Sequence, residues 1–312
     1  MQLPIFPHRR LIGAAAIACA AALIPAASFA ATASAAGARA TVGSPASGPT
    51  RAHPVTAYVV NEASGTVTPI DTATNKALKA IKVGKDPRAI AITPNGKTAY
   101  VTNGGSDTVT PISTATNTAL KAIKVGQGPG YIAITPNGKT AYVVSQAEGT
   151  VTPIRIATST ALTAIKSGGG PDAIAITPNG KTAYAANYIG ATGMPLGNTV
   201  TPIRIATSTA LKPITVGTPL SGPIAIAITP NGKTAYVADI AATVTPIRIA
   251  TNTALKAITV GSNSRAIAIT PNGKTAYVVN GSGTVTPIRV ATNTALKAIT
   301  VGNFPDAIAI TP

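Results

Sequence analysis

Six positions in this 312-residue chain stand a fixed distance ahead of a repeated proline, and they hold the residues best placed to do chemistry. Counting six residues back from the proline of each Thr-Pro-Asn-Gly-Lys segment, and from Pro312, gives Arg88, Gly130, Asp172, Ile224, Arg265 and Asp306. Almost everything around them repeats, whereas these positions vary, and variation inside a fixed frame is where binding and catalytic groups collect. In order around a circle, Arg265, Asp306 and Arg88 alternate in sign. Such groups could hold an anionic ligand or work as paired acid and base. They could equally be a belt of ion pairs fastening neighbouring repeats, because structural ion pairs are common.

Other catalytic chemistry is poorly supplied. The histidines are His8 and His53 and the lone thiol is Cys19, all near the start of the chain. A Ser-His-Asp arrangement and a His/Cys metal site are therefore not expected, nor is a cofactor. Asp86, Asp172, Asp306 and Glu148 could act in pairs if the fold brings them together, although their spacing does not require it. Gly168-Gly169-Gly170 lacks the following Lys and helix of a phosphate loop.

The frame that must position these residues is a repeat. TPNGKTAY begins at Thr93, Thr135, Thr177, Thr229 and Thr270, and VTPI begins at Val67, Val109, Val151, Val200, Val244 and Val285. A period of roughly 40 to 50 residues made of short apolar runs and turns marks a propeller or solenoid. Within one repeat, residues 89–92 read as an inner strand apolar on both faces. Residues 93–96 form a tight turn with glycine at positive φ. Residues 97–103 and 108–113 are the second and third strands, and 119–125 the fourth. Pro111 inside the third strand removes a ladder donor, which implies a bulge or a fourth strand too short to need that bond. Lys121 and Lys124 on the outer strand would discourage edge-to-edge pairing. The expected fold is all-β: a six-bladed β-propeller of four-stranded antiparallel blades. Residues 307–311 should pair beside residues 57–61 and close the ring.

Residues 1–30 read as an export signal, with Arg9 and Arg10 before an Ala-rich apolar run and small residues before Ala31. Residues 31–54 read as a disordered Ala/Ser/Gly/Pro linker, and residues 55–312 as the propeller. The chain carries 25 Lys+Arg against 8 Asp+Glu, a formal charge of +17. Part of that charge is regular: Lys97, Lys139, Lys181, Lys233 and Lys274 follow each Asn-Gly turn, and Arg155, Arg204, Arg248 and Arg289 share one register. A polyanion could bind there through many salt-sensitive contacts, or each lysine could simply be a soluble turn residue. One insertion, residues 187–198, should project from the mouth face, with Tyr188, Met194 and Leu196 as exposed apolar residues that form a lid or a contact surface.

Tyr100-Val101-Thr102-Asn103, with looser copies such as Tyr58-Val59-Val60-Asn61 and Tyr277-Val278-Val279-Asn280, resembles the YVTN β-propeller repeat family. That resemblance implies exported or surface-associated propellers, some similar to lactonases and some that bind DNA, often with seven blades. The expectation is a secreted or cell-surface, non-catalytic binding module rather than an enzyme. It would be a monomer without a membrane span in its mature form, with an anionic wall polymer, glycan or surface protein as partner. Its ligand-binding candidates are Arg88, Asp172, Arg265, Asp306, Tyr188 and Met194. The alternatives are a lactonase-like or lyase-like hydrolytic enzyme at the channel mouth and a basic polyanion binder.

Overall fold

The structure is a computed structural model that describes residues 55–190 and 196–311. The export signal, the linker, Met194 and Pro312 lie outside the described residues. Within them, six antiparallel sheets follow one another along the chain, almost without helix: sheets 1 to 6 span residues 56–82, 87–124, 129–166, 170–215, 223–259 and 264–300. No helix among the described residues is long and apolar enough to cross a membrane.

Sheet 2 shows why the repeat folds this way. Its inner strand, Pro87–Ile92, pairs with Thr98–Asn103, which pairs in turn with Thr108–Ser113. Between the first two strands, the Thr93 hydroxyl donates to Asn95 Oδ1 at 2.7 Å and Asn95 Oδ1 accepts the Lys97 amide at 3.0 Å. Gly96 sits at φ +69°, the left-handed conformation that an L side chain adopts only with strain. The expected turn is therefore formed, and it recurs in sheets 3 to 6.

The fourth strand differs from expectation. Residues 119–125 are not continuous: two short strands, Thr118–Ala119 and Ile123–Lys124, each pair with the third strand. Proline is the cause. The Leu120 amide donates to the Pro111 carbonyl at 2.7 Å, so that edge of Pro111 faces outward. Pro111 has no amide to return the bond, and the outer strand loops away at Lys121.

Successive sheets pack through small and β-branched side chains. Ala99, Val101, Val109 and Ile112 are fully buried, and their counterparts recur around the array. A tyrosine ties one sheet to the next. Tyr58 donates to Asn117 at 2.6 Å, Tyr184 to Asn252 at 2.6 Å and Tyr236 to Asn293 at 2.5 Å. The inner strands run side by side in chain order from Pro87–Ile92 to Ser264–Ile269.

The expected closure is not formed. Residues 307–311 make no strand, and sheet 1 lacks the inner strand that its neighbours have. A closing strand needs a partner edge about 4.8 Å away, and the end sheets are not packed together to provide one. Ile299 in sheet 6 is 48% exposed where Ile258 in sheet 5 is 7% exposed, and Val59 in sheet 1 is 44% exposed where Val101 is buried. Six propeller-type sheets are present, but the strand pairing that would seal them is not.

Candidate active site

The varying residues lie at bulges. In sheet 4 the register between Gly170–Ile176 and Thr182–Ile189 skips Asp172; in sheets 5 and 6 it skips Ile224 and Arg265. In sheet 2 it skips Arg88 with Ala89, and in sheet 3 Gly130 with Tyr131. A bulged residue leaves the ladder and its side chain is re-aimed, which is why bulges recur beside active sites. The sequence spacing found these positions because one extra residue per inner strand keeps the same distance to each hairpin.

Bulges hold Arg88, Asp172, Tyr188 and Arg265, and together with Asp306, beyond the last strand, their charges act on one another in pairs around a residue the sequence reading passed over. Tyr131 occupies the place that Ala89, Ala173, Ala225 and Ala266 fill in other sheets. Burial pushes its phenol above the ordinary range, Asp172 and Asp306 push it further, and Arg88 pulls it back. The phenol is therefore protonated wherever the fold operates. The signal was legible: a tyrosine in a column of alanines.

Asp172 is the central carboxylate. Burial raises its pKa to about 6, partly offset by Arg88. Gln146 Nε2 donates to its Oδ1 at 3.3 Å. Arg88 is exposed and its guanidinium lies over Gly104, where an added Cβ would stand 2.6 Å from Nε. Tyr188 closes another side. Its phenol is raised by burial and by Asp172, and lowered by Arg265. Arg265 Nη1 and Asp306 Oδ1 are 3.9 Å apart, the one ion pair among the described residues. At that distance and exposure the pair is weak. The expected alternation thus resolves into one loose pair, with Arg88 and Asp172 not paired by direct contact.

Two bulges are fastened by one hydroxyl. Thr102, fully buried, accepts the Ala89 amide at 3.0 Å and donates to the Gly130 carbonyl at 2.7 Å in the next sheet. Its counterparts are Val60, Val144, Ala186, Ala238 and Val279. Thr102 therefore sets Arg88 relative to Tyr131, and only comparison down the column reveals it.

The insertion rises from the same end. Strands Thr182–Ile189 and Leu196–Arg204 are longer than their counterparts, with Ile189 opposite Leu196. Tyr188 and Leu196 are half-buried rather than exposed, because the longer hairpin packs on itself and on Gly222. Asp86 and Glu148 lie in loops at this end but share no ion pair or hydrogen bond with Asp172 or Asp306. The five Asn-Gly lysines are all exposed, at the opposite end of the sheets. Among the described residues no three or more His, Asp or Glu side chains cluster as a metal site. A surface groove between residues 162–166 and 207–210 lies on the outer rim and contains no acid.

No curated protein matches the chain. Among solved structures, Kuenenia stuttgartiensis Hydrazine Synthase is similar, at 24% identity over 82% of this chain and 86% of that one, with a TM-score of 0.70. At that identity the likeness shows a shared propeller fold alone, and the YVTN resemblance likewise stands at the level of the propeller class. The model of a family described as Lactonase, 7-bladed beta-propeller matches residues 112–301. This match overturns the expectation of a non-catalytic module and favours the lactonase-like alternative. Six sheets are described where the family description says seven blades. The match spans more than half of the sequence, and the chain belongs to the Lactonase, 7-bladed beta-propeller family.

Proposed function

We propose that this protein hydrolyses a cyclic ester at the bulged ends of its inner strands. The observation that carries the reading is Asp172, a carboxylate raised to about 6 and flanked by a guanidinium and a protonated phenol. A base with a pKa near the working pH is largely ionised yet still takes a proton readily. In the proposed reaction Asp172 accepts a proton from a water molecule as the water oxygen attacks the ester carbonyl carbon. Arg88 faces the oxyanion that develops on the carbonyl oxygen, where a fixed cation is worth most. The ring carbon–oxygen bond then breaks, and the proton held by Asp172 passes to the departing alkoxide. A lactone and water become a hydroxy acid, and the carboxylate is regenerated.

Tyr131 and Tyr188 wall the site and exclude water from one side of Asp172. Gln146 fixes the carboxyl orientation. The family supports the reaction class, while the position of Asp172 supports the residue assignment. Export to the cell surface is proposed with it, on the apolar leader in residues 1–30. The test is hydrolysis of a panel of five- and six-membered lactones by the full chain, with Asp172→Asn and Arg88→Ala beside it. Loss of about 10²–10⁴ in rate for Asp172→Asn is expected of a general base. A variant that keeps the wild-type rate would remove Asp172 from the mechanism.

A further inference from the structure

The end of the molecule away from the bulges has a different charge. The Lys139 carbonyl accepts the amide of Ile156 at 3.0 Å, and Arg155 stands opposite Thr140 in the ladder. Lys139 and Arg155 are therefore neighbours. The same backbone bond and register place Lys181 beside Arg204, Lys233 beside Arg248 and Lys274 beside Arg289. Lys97 holds the equivalent place in sheet 2, where Ser113 replaces the arginine. All nine cations are exposed, and none forms an ion pair among the described residues. The carboxylates are segregated from them. Of the chain's eight, seven lie on loops or strand ends at the mouth, and only Asp71, on sheet 1, lies at the hairpin end.

Like charges placed side by side repel, and a face with nine of these cations and a single carboxylate is worse for the folded chain than a mixed one. Solubility alone does not require the segregation, since interspersed signs provide it equally well. The arrangement suits a ligand that presents many anionic groups at once. Arginine beside lysine favours phosphate, through fork geometry and point charge. The turns around these cations are built of Thr, Pro, Asn, Gly, Ser, Ala and single aliphatic residues, without an exposed aromatic ring on which a base could stack, and their one helical piece is the three-residue 3-10 turn Ile156–Thr158, too short to enter a groove.

We propose that this face docks a phosphodiester-linked polymer that carries no bases, of the polyol-phosphate type found in cell walls. The proposal does not depend on the hydrolase reading, because the two sites occupy opposite ends of the sheets. The test measures binding of the full chain to poly(glycerol phosphate), and to duplex DNA of equal phosphate number, over a range of salt. The test variant combines Arg155→Ser, Arg204→Ser, Arg248→Ser and Arg289→Ser, since serine already occupies this register at Ser113. A control with the same loss of charge replaces Lys79, Lys121, Lys256 and Lys297, which lie on the outer rim, by serine. The expected result is that the arginine variant binds poly(glycerol phosphate) at least about tenfold more weakly and its log K against log salt slope falls by about 3. The rim control should stay within about threefold, and lactone hydrolysis should be unchanged in both. Equal weakening by both variants would reduce the effect to net charge and overturn the proposal. Absence of binding, or duplex DNA bound as tightly as poly(glycerol phosphate), would overturn it too.

Discussion

Replacing Asp172 by asparagine separates what the folded chain loses from what the proposed reaction gains. A carboxyl with a pKa of about 6 when folded, against an ordinary 3.8, binds its proton more tightly in the native state. The sign follows directly: stability from this group is fully present below about pH 4, falls as pH rises and is gone above about 6. The shift is about two units, which corresponds to a ceiling of about 3 kcal/mol. Asparagine keeps the acceptor for Gln146 Nε2 and removes the charge from this half-buried position. Asp172→Asn should therefore leave stability nearly unchanged at pH 4 and raise it at pH 8 by up to about 3 kcal/mol. In a domain of this size that corresponds to several degrees in Tm, at about 2–4 °C per kcal/mol. Urea unfolding followed by circular dichroism at both pH values measures it. A variant no more stable than wild type at pH 8, or stabilised equally at both pH values, would refute the claim that Asp172 is a desolvated carboxylate. Stabilisation joined to loss of hydrolysis would show a functional group held at a structural cost.

Tyr236→Phe removes a hydrogen bond to Asn293 between sheets and should cost about 1 kcal/mol, whereas Tyr277→Phe should be neutral because Tyr277 has no such partner among the described residues. Equal costs in denaturant unfolding would deny the tyrosine ties. Thr102→Val leaves the Ala89 amide and the Gly130 carbonyl without their buried partner; about 1–3 kcal/mol is the expected loss, with kcat lowered beyond what partial unfolding explains. Gly104→Ala pushes the Arg88 guanidinium aside without touching the core, so kcat/KM should fall while Tm holds. Arg265→Ala with Asp306→Ala removes a weak pair and should change stability by less than about 1 kcal/mol; a large loss would restore the ion-pair belt.

What the sequence revealed follows from what repetition encodes. A repeated hairpin such as Thr93 to Lys97 satisfies itself locally, so its geometry was readable from one copy and multiplied. The bulges were readable as a column because an extra residue keeps its distance from the next turn. Ring closure was not readable, because residues 307–311 carry the same letters as the inner strands whether or not an edge is presented to them. Pairing is a property of where sheets 1 and 6 stand, and no local pattern records that. The broken outer strand was half legible: Pro111 announced a missing donor, but only the Leu120 bond shows on which side it is missing. Tyr131 and Thr102 were passed over because each is ordinary in its own repeat and unusual only against its counterparts. Composition misled on function. The scarcity of histidine and cysteine argued against catalysis, but the proposed hydrolysis on a single carboxylate raised to about 6 needs neither.

Whether Asp172 acts as a base in ester hydrolysis is read from the pH dependence of kcat/KM for a lactone substrate. The rate should rise tenfold per pH unit on the acid side, level off above an inflection near pH 6, and lose that inflection in Asp172→Asn. A lactone hydrolysed with a profile flat from pH 4.5 to 7.5, or one whose inflection survives in the variant, would mean that Asp172 is not the base.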